Sequence, residues 1–116
     1  MTIQQLIPVL KAQPFHTPPS FANASIHHVV ASDLMSDVLV AHVEDFILVT
    51  SLASDQMIRT ADLVGAVGVV LVNGKQPPQS LTNLAKELDL PLLGTNLPKF
   101  EACLAIGNTL MQDTSP

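Results

Sequence analysis

The sequence predicts a three-layer α/β/α domain built on a mostly parallel sheet. Three observations carry this. Apolar runs such as Phe46-Ile47-Leu48-Val49 and Val69-Val70-Leu71-Val72 alternate along the chain with segments of helical period. The strand-like runs are continuous rather than alternating, as strands covered on both faces are. The chain has 116 residues, 47% of them apolar, which suits one domain of about 100–150 residues with an ample core.

The elements follow in order. Thr2 with Gln5 makes a capping-box pattern, and Ile3, Leu6, Ile7 and Leu10 share a helical stripe. Pro8 stands past the first turn, where proline removes a backbone hydrogen bond and clashes with the preceding turn, so this helix should kink or end early. Residues 14–24 hold three prolines and no period, reading as an irregular loop with a short strand near Phe15. Residues 25–32 are β-rich, and Leu34, Val38 and Leu39 suit a short helix. Strands are then expected over 45–51, 67–74 and 91–95, and helices over 54–65, 77–89 and 96–111. The helical stripes are Met57, Ile58, Ala61 and Val64; Leu81, Leu84, Ala85 and Leu88; and Phe100, Cys103, Leu104, Gly107 and Met111. Two successive right-handed crossovers are the expected topology. Residues 1–24 are thus a helix and loop packed on the domain, 25–112 the α/β domain, and 113–116 a disordered tail.

Charged residues make up only 13% of the chain, about half the usual ~25%. A surface so poor in charge fits one partly covered by another subunit. Ten acidic residues face five scattered basic ones; nucleic-acid binding needs a clustered basic footprint and stacking aromatics, so it is disfavoured. No apolar stretch nears the ~20 residues of a membrane span, no signal-peptide pattern opens the chain, and Cys103 is the sole cysteine. A cytoplasmic protein is expected, with no membrane partner.

The stretch Val72-Asn73-Gly74-Lys75 poses a choice between phosphate loop and turn. A Walker loop needs four residues between its glycines and a hydroxyl after the lysine. Here five separate Gly68 from Gly74, and Gln76 replaces the hydroxyl. A left-handed Asn73-Gly74 turn at a strand end accounts for it, with contact of Asn73 or Lys75 with a ligand as the other reading. In open α/β sheets ligands sit at the carboxyl ends of the strands, and Ser32, Asp33, Thr50, Ser51, Asn73, Gly74, Lys75, Thr95 and Asn96 should gather there. Asp33 and Asp37, four apart, either hold a divalent cation with a ligand's phosphates, or Ser32 and Asp33 cap a helix while Asp37 faces solvent. Asp55 and Arg59 are one helical turn apart in the favourable order, a surface pair or two residues at the same edge. His27 and His28 point to opposite faces of a strand, and neither they nor His16 and His42 show metal-site spacing. Cys103 lies on an apolar stripe and reads as an inert thiol. No catalytic or metal-binding residue is assigned.

Read together, Ser32-Asp33-Leu34-Met35-Ser36-Asp37-Val38-Leu39, Ile58-Arg59-Thr60-Ala61, Val72-Asn73-Gly74-Lys75 with Pro77, and Phe100-Glu101-Ala102-Cys103 resemble the DRTGG domain family. The likeness is to its small stand-alone, HPr-kinase-like members and covers roughly residues 25 to 110. It implies the α/β/α fold of the N-terminal domain of HPr kinase/phosphorylase, whose nucleotide loop and catalytic residues belong to a separate domain. It also implies a regulatory role, since DRTGG domains accompany CBS domains, phosphotransacetylases and pyrophosphatases and help subunits pair. Gln56 follows Asp55 where the family commonly has arginine, and Asn73-Gly74 stands where it commonly has two glycines. The expected function is a non-enzymatic regulatory or scaffold module. It would be a homodimer sensing a small cytosolic ligand, such as an adenine nucleotide, or serving a larger enzyme or signalling protein. It would need no cofactor. The alternative is a nucleotide- or phosphate-handling protein with a metal-bound ligand at the strand-end edge.

Overall fold

Strands β3 (Phe46–Thr50) and β4 (Gly68–Leu71) are buried along their whole lengths, and the other elements are arranged about them. The computed structural model describes residues 1–19 and 23–113. Five strands form one sheet in the order β1-β5-β4-β3-β2, where β1 is Gln13–His16, β2 is His28–Ala31 and β5 is Leu92–Gly94. Strands β2 to β5 lie parallel in simple sequence order, and β1 pairs antiparallel with β5 at one edge. The expected strand near Phe15 is therefore β1. The crossovers are three, one more than the two read from 45 onward, because the β-rich run after Ser25 joins the sheet as β2.

Successive residues of a strand face opposite sides, and the two cores follow that alternation. Phe46, Leu48, Val69, Leu71 and Leu92 pack with α2 (Met35–Leu39), α3 (Asp55–Leu63) and α4 (Gln79–Leu88). Ile47, Val49, Val70, Val72 and Leu93 pack with α1 (Ile3–Leu10) and α5 (Lys99–Asp113). The three crossover helices thus share one face, and the first and last helices cover the other. This is the α/β/α sandwich that the continuous apolar runs predict. No helix among the described residues is long and apolar enough to cross a membrane.

Two expectations are corrected. Helix α1 does not end at Pro8 but continues to Leu10. Pro8 and Gln4 are exposed, so the carbonyl that loses its donor faces water, while Ile3, Leu6 and Leu10 are buried against the sheet. In α5 the buried residues are Ala102 and Ile106, while Phe100, Leu104 and Met111 are 72%, 49% and 71% exposed. The helix carries two apolar stripes, and the one with Ala102, Ala105 and Ile106 packs with α1 and the sheet. Helix α5 ends at Asp113, and residues 114–116 of the expected tail, like 20–22 of the early loop, lie outside the described residues.

Gly94 brings the edge strand in close. A Cβ there would sit 2.6 Å from Cε2 of Phe15, inside the distance any real contact tolerates. Gly94→Ala should destabilise the domain by about 1–3 kcal/mol through this overpacking. Urea unfolding of Gly94→Ala in the wild-type and Phe15→Ala backgrounds checks it: the penalty should largely vanish without the ring.

Candidate functional site

The carboxyl ends of β2 to β5 bring the predicted polar residues to one edge, where they form two groups. The first centres on Asp33, just past β2. Its Oδ1 accepts from Ser51 N–H at 2.7 Å and Thr50 Oγ1 at 2.9 Å. Its Oδ2 accepts from Ser51 Oγ at 2.7 Å and Lys99 Nζ at 2.8 Å. Partial burial by itself would raise this carboxyl, but the hydrogen bonds from Lys99, Ser51 and Thr50 hold it well below the usual carboxylate range. A carboxylate with four donors has no lone pair left for a metal or a substrate proton.

Asp33 therefore does not cap α2. The N-cap, Leu34, has no side-chain cap bond, and its own N–H donates to Ser32 Oγ at 3.0 Å. Ser32 Oγ in turn donates to Asp37 at 3.1 Å. Asp33 and Asp37 are engaged separately, and the described residues include no group of three or more His, Cys, Asp or Glu placed to hold a metal ion. Asp55 and Arg59 are exposed on α3, behind the N-cap Ser54, whose Oγ accepts from Met57 N–H at 3.2 Å. They form no ion pair with each other, since an exposed pair on a helix gains only about 0.3–0.5 kcal/mol. Cys103 is half-buried, and burial pushes its thiol up against the opposing pull of Lys99.

The second group lies between β4 and β5. There the chain leaves β4 for α4 on one face and leaves β5 for α5 on the other. This reversal opens a crevice at the strand ends. Val72 to Lys75 form a tight turn: Asn73 and Gly74 have φ of 62° and 68°, and Lys75 N–H donates to Val72 O at 3.3 Å, the signature of a type I′ turn. Asn73 N–H donates to Leu97 O at 2.9 Å and Gly74 N–H to Thr95 O at 3.0 Å. All three amides are spent, so no phosphate cradle of the Walker kind forms, and the turn reading holds.

Thr95 is also committed. It is 5% exposed, donating its hydroxyl to Leu10 O at 2.8 Å and accepting from Leu97 N–H at 3.2 Å. Around it opens a cleft of about 200 Å³ lined by Lys11, Ala12, Gln13, Phe15, Gly74, Lys75, Gln76, Gly94, Thr95 and Asn96. A neighbouring hollow of about 270 Å³ shares Lys11, Thr95 and Asn96 and adds Val9, Leu10 and Leu97. Of the predicted residues, this cleft takes Gly74, Lys75, Thr95 and Asn96; Asn73 holds the turn behind it. Ser32, Asp33, Asp37 and Thr50 belong to the first group, and Asp55 and Arg59 line neither cavity.

Sequence reasoning missed Lys11, Gln13, Phe15 and Gln76. No local signal marks the first three, because β1 reaches the cleft only by pairing antiparallel with β5. One conformational sign does exist. Lys11, Asp45, Asn73 and Asp89 have left-handed backbones without being glycine, a conformation costing about 1–2 kcal/mol in most residues. Asn73 sits in a turn that favours asparagine. Asp45 and Asp89 each meet a histidine, His27 and His16, at 3.2 Å. Among the described residues the Lys11 ammonium bonds no side chain, and Lys11 lines the cleft.

No family model matches the chain, and no curated protein matches it. Among solved structures it is similar to the CBS and DRTGG domains of the regulatory region of Clostridium perfringens pyrophosphatase, crystallised with the activator diadenosine tetraphosphate. The TM-score is 0.75 at 15% identity, over 90% of this chain and 45% of that one. The likeness establishes the class of fold, a DRTGG-like α/β domain. This chain spans less than half the length of that regulatory region.

Because its folded pKa is depressed, the Asp33 carboxylate adds stability that is full above its unfolded value of about 3.9 and lost as pH falls below it. Solvent screening at a side chain 40% exposed keeps the effect modest. Denaturation midpoints of wild type and Asp33→Asn should therefore lie furthest apart near neutrality and converge in acid. A gap that stays constant would show that the charge contributes nothing.

Proposed function

We propose that this chain is a non-enzymatic regulatory module of the DRTGG kind, a cytoplasmic protein that senses a small ligand at the β4/β5 cleft. The observation that carries this reading is the cleft itself: the side chains of Lys11, Gln13, Lys75, Gln76 and Asn96 line it at the switch point of the sheet and have no hydrogen-bond partner among the described residues. The Asp33 carboxylate at the same edge is already clasped by four donors. The fold likeness supports a regulatory role, since the similar structure is a regulatory region that binds a nucleotide activator. A thermal-shift panel of adenine nucleotides, sugar phosphates, carboxylates and amino acids tests the reading. At least one class should raise the midpoint saturably, while a flat response to every class would refute ligand sensing.

The module works as a homodimer or on a larger enzyme. Phe100, Leu104 and Met111 leave an apolar stripe of α5 exposed on a chain of which only 13% is charged. A fully buried side chain of this kind contributes about 1.5–3 kcal/mol, so covering the stripe is worth several kcal/mol to an assembly. Sedimentation should show a dimer, and Leu104→Glu should give a folded monomer with unchanged circular dichroism. A wild-type monomer would exclude self-association through α5.

A further inference from the structure

The cleft between β4 and β5 differs in charge from the rest of the chain. The protein carries ten acidic residues against five basic ones, yet Lys11 and Lys75 both line this cleft and, among the described residues, no acidic one does. Neither lysine is in an ion pair among the described residues, whereas Lys99 is neutralised by Asp33 at 2.8 Å. Gln13, Gln76 and Asn96 add neutral amide groups to the same lining. The neighbouring hollow is less polar, walled in part by Val9, Leu10 and Leu97.

Lys11 makes the argument sharper. At φ 49° glycine would serve the end of α1 better, and the other two charged residues with such backbones use their side chains to hold histidines. A lysine at the end of a helix also complements its dipole, but that role needs no cleft and no second lysine.

We propose that the cleft binds a small organic phosphate monoester. Its phosphoryl group is held by the Lys11 and Lys75 ammoniums, and its less polar part lies over the hollow beside Val9 and Leu97. The charges set the class: a phosphomonoester carries about −1.5 to −2 at neutral pH and so matches the two ammoniums, whereas a monocarboxylate supplies a single negative charge. The contacts are side-chain contacts, since the turn amides are already bonded. This inference rests on the ligand-sensing reading and specifies its ligand.

The test is a titration of the labelled protein, followed by amide chemical shifts, with phenyl phosphate, inorganic phosphate, succinate and benzyl alcohol. Phenyl phosphate should saturate, moving the amides of residues 11–13, 74–76 and 96, and should bind more tightly than inorganic phosphate. Lys11→Gly and Lys75→Gln should each weaken it about tenfold, the loss of one charge-assisted contact. Lys11→Gly should hold or raise the thermal midpoint, so lost binding cannot be blamed on lost folding. Phosphate binding that ignores both substitutions, shifts confined to other residues, or equal affinity for inorganic phosphate would overturn the proposal. Saturation at the cleft by succinate or benzyl alcohol and not by phosphates would overturn it while leaving the sensing reading standing. Silence from all four overturns it too, and the broader metabolite panel then decides whether sensing survives.

Discussion

Thr95 joins the segments that meet at the end of the sheet. Its buried hydroxyl donates to the last buried residue of α1, Leu10, and accepts from Leu97 on the way to α5. Its carbonyl takes the Gly74 N–H from the turn after β4. One residue therefore sets the relation of α1, the β4 turn and the start of α5. A buried hydroxyl left without partners costs about 1–3 kcal/mol, and here the same loss would also free the cleft walls. The crevice is held open by bonds made behind it.

The other end of the strand edge is closed in a different way. Asp33 gathers Thr50, Ser51 and Lys99, tying the exits of β2 and β3 to the first turn of α5. The acid is fully answered there. Between β4 and β5, two ammoniums and several side-chain amides line an open cleft and have no partner among the described residues. The edge thus separates a neutralised, structural half from a cationic, accessible half, and that asymmetry distinguishes the cleft from the polar rim that every α/β sheet possesses.

Much of the fold was legible because its signals are local. Continuous apolar runs marked β3, β4 and β5, and the stripes Met57-Ile58-Ala61 and Leu81-Leu84-Ala85 marked the buried faces of α3 and α4. Asn73-Gly74 revealed its turn through backbone preference alone. Three features escaped for a common reason. Pro8 is tolerated because its side of α1 faces water, α5 buries Ala102 and Ile106 because that stripe meets α1 and the sheet, and Asp33 serves Lys99, 66 residues away, rather than its own helix. Each depends on a neighbour remote in the chain.

The cleft shows the same division. Lys75 and Thr95 could be placed at strand ends by counting along the sequence, because in a parallel sheet all strand ends of one kind share an edge. Lys11 and Phe15 could not, because nothing local says that β1 will pair antiparallel with β5. The sequence by itself determined the alternation of strands and helices, the two-faced burial of the central strands and the chemistry of the turn. Only the tertiary structure decided which stripe of α5 turns inward, which acid is neutralised and which lysines meet. Those outcomes are set by packing and pairing between distant segments, which hydrophobic period and turn preference do not encode.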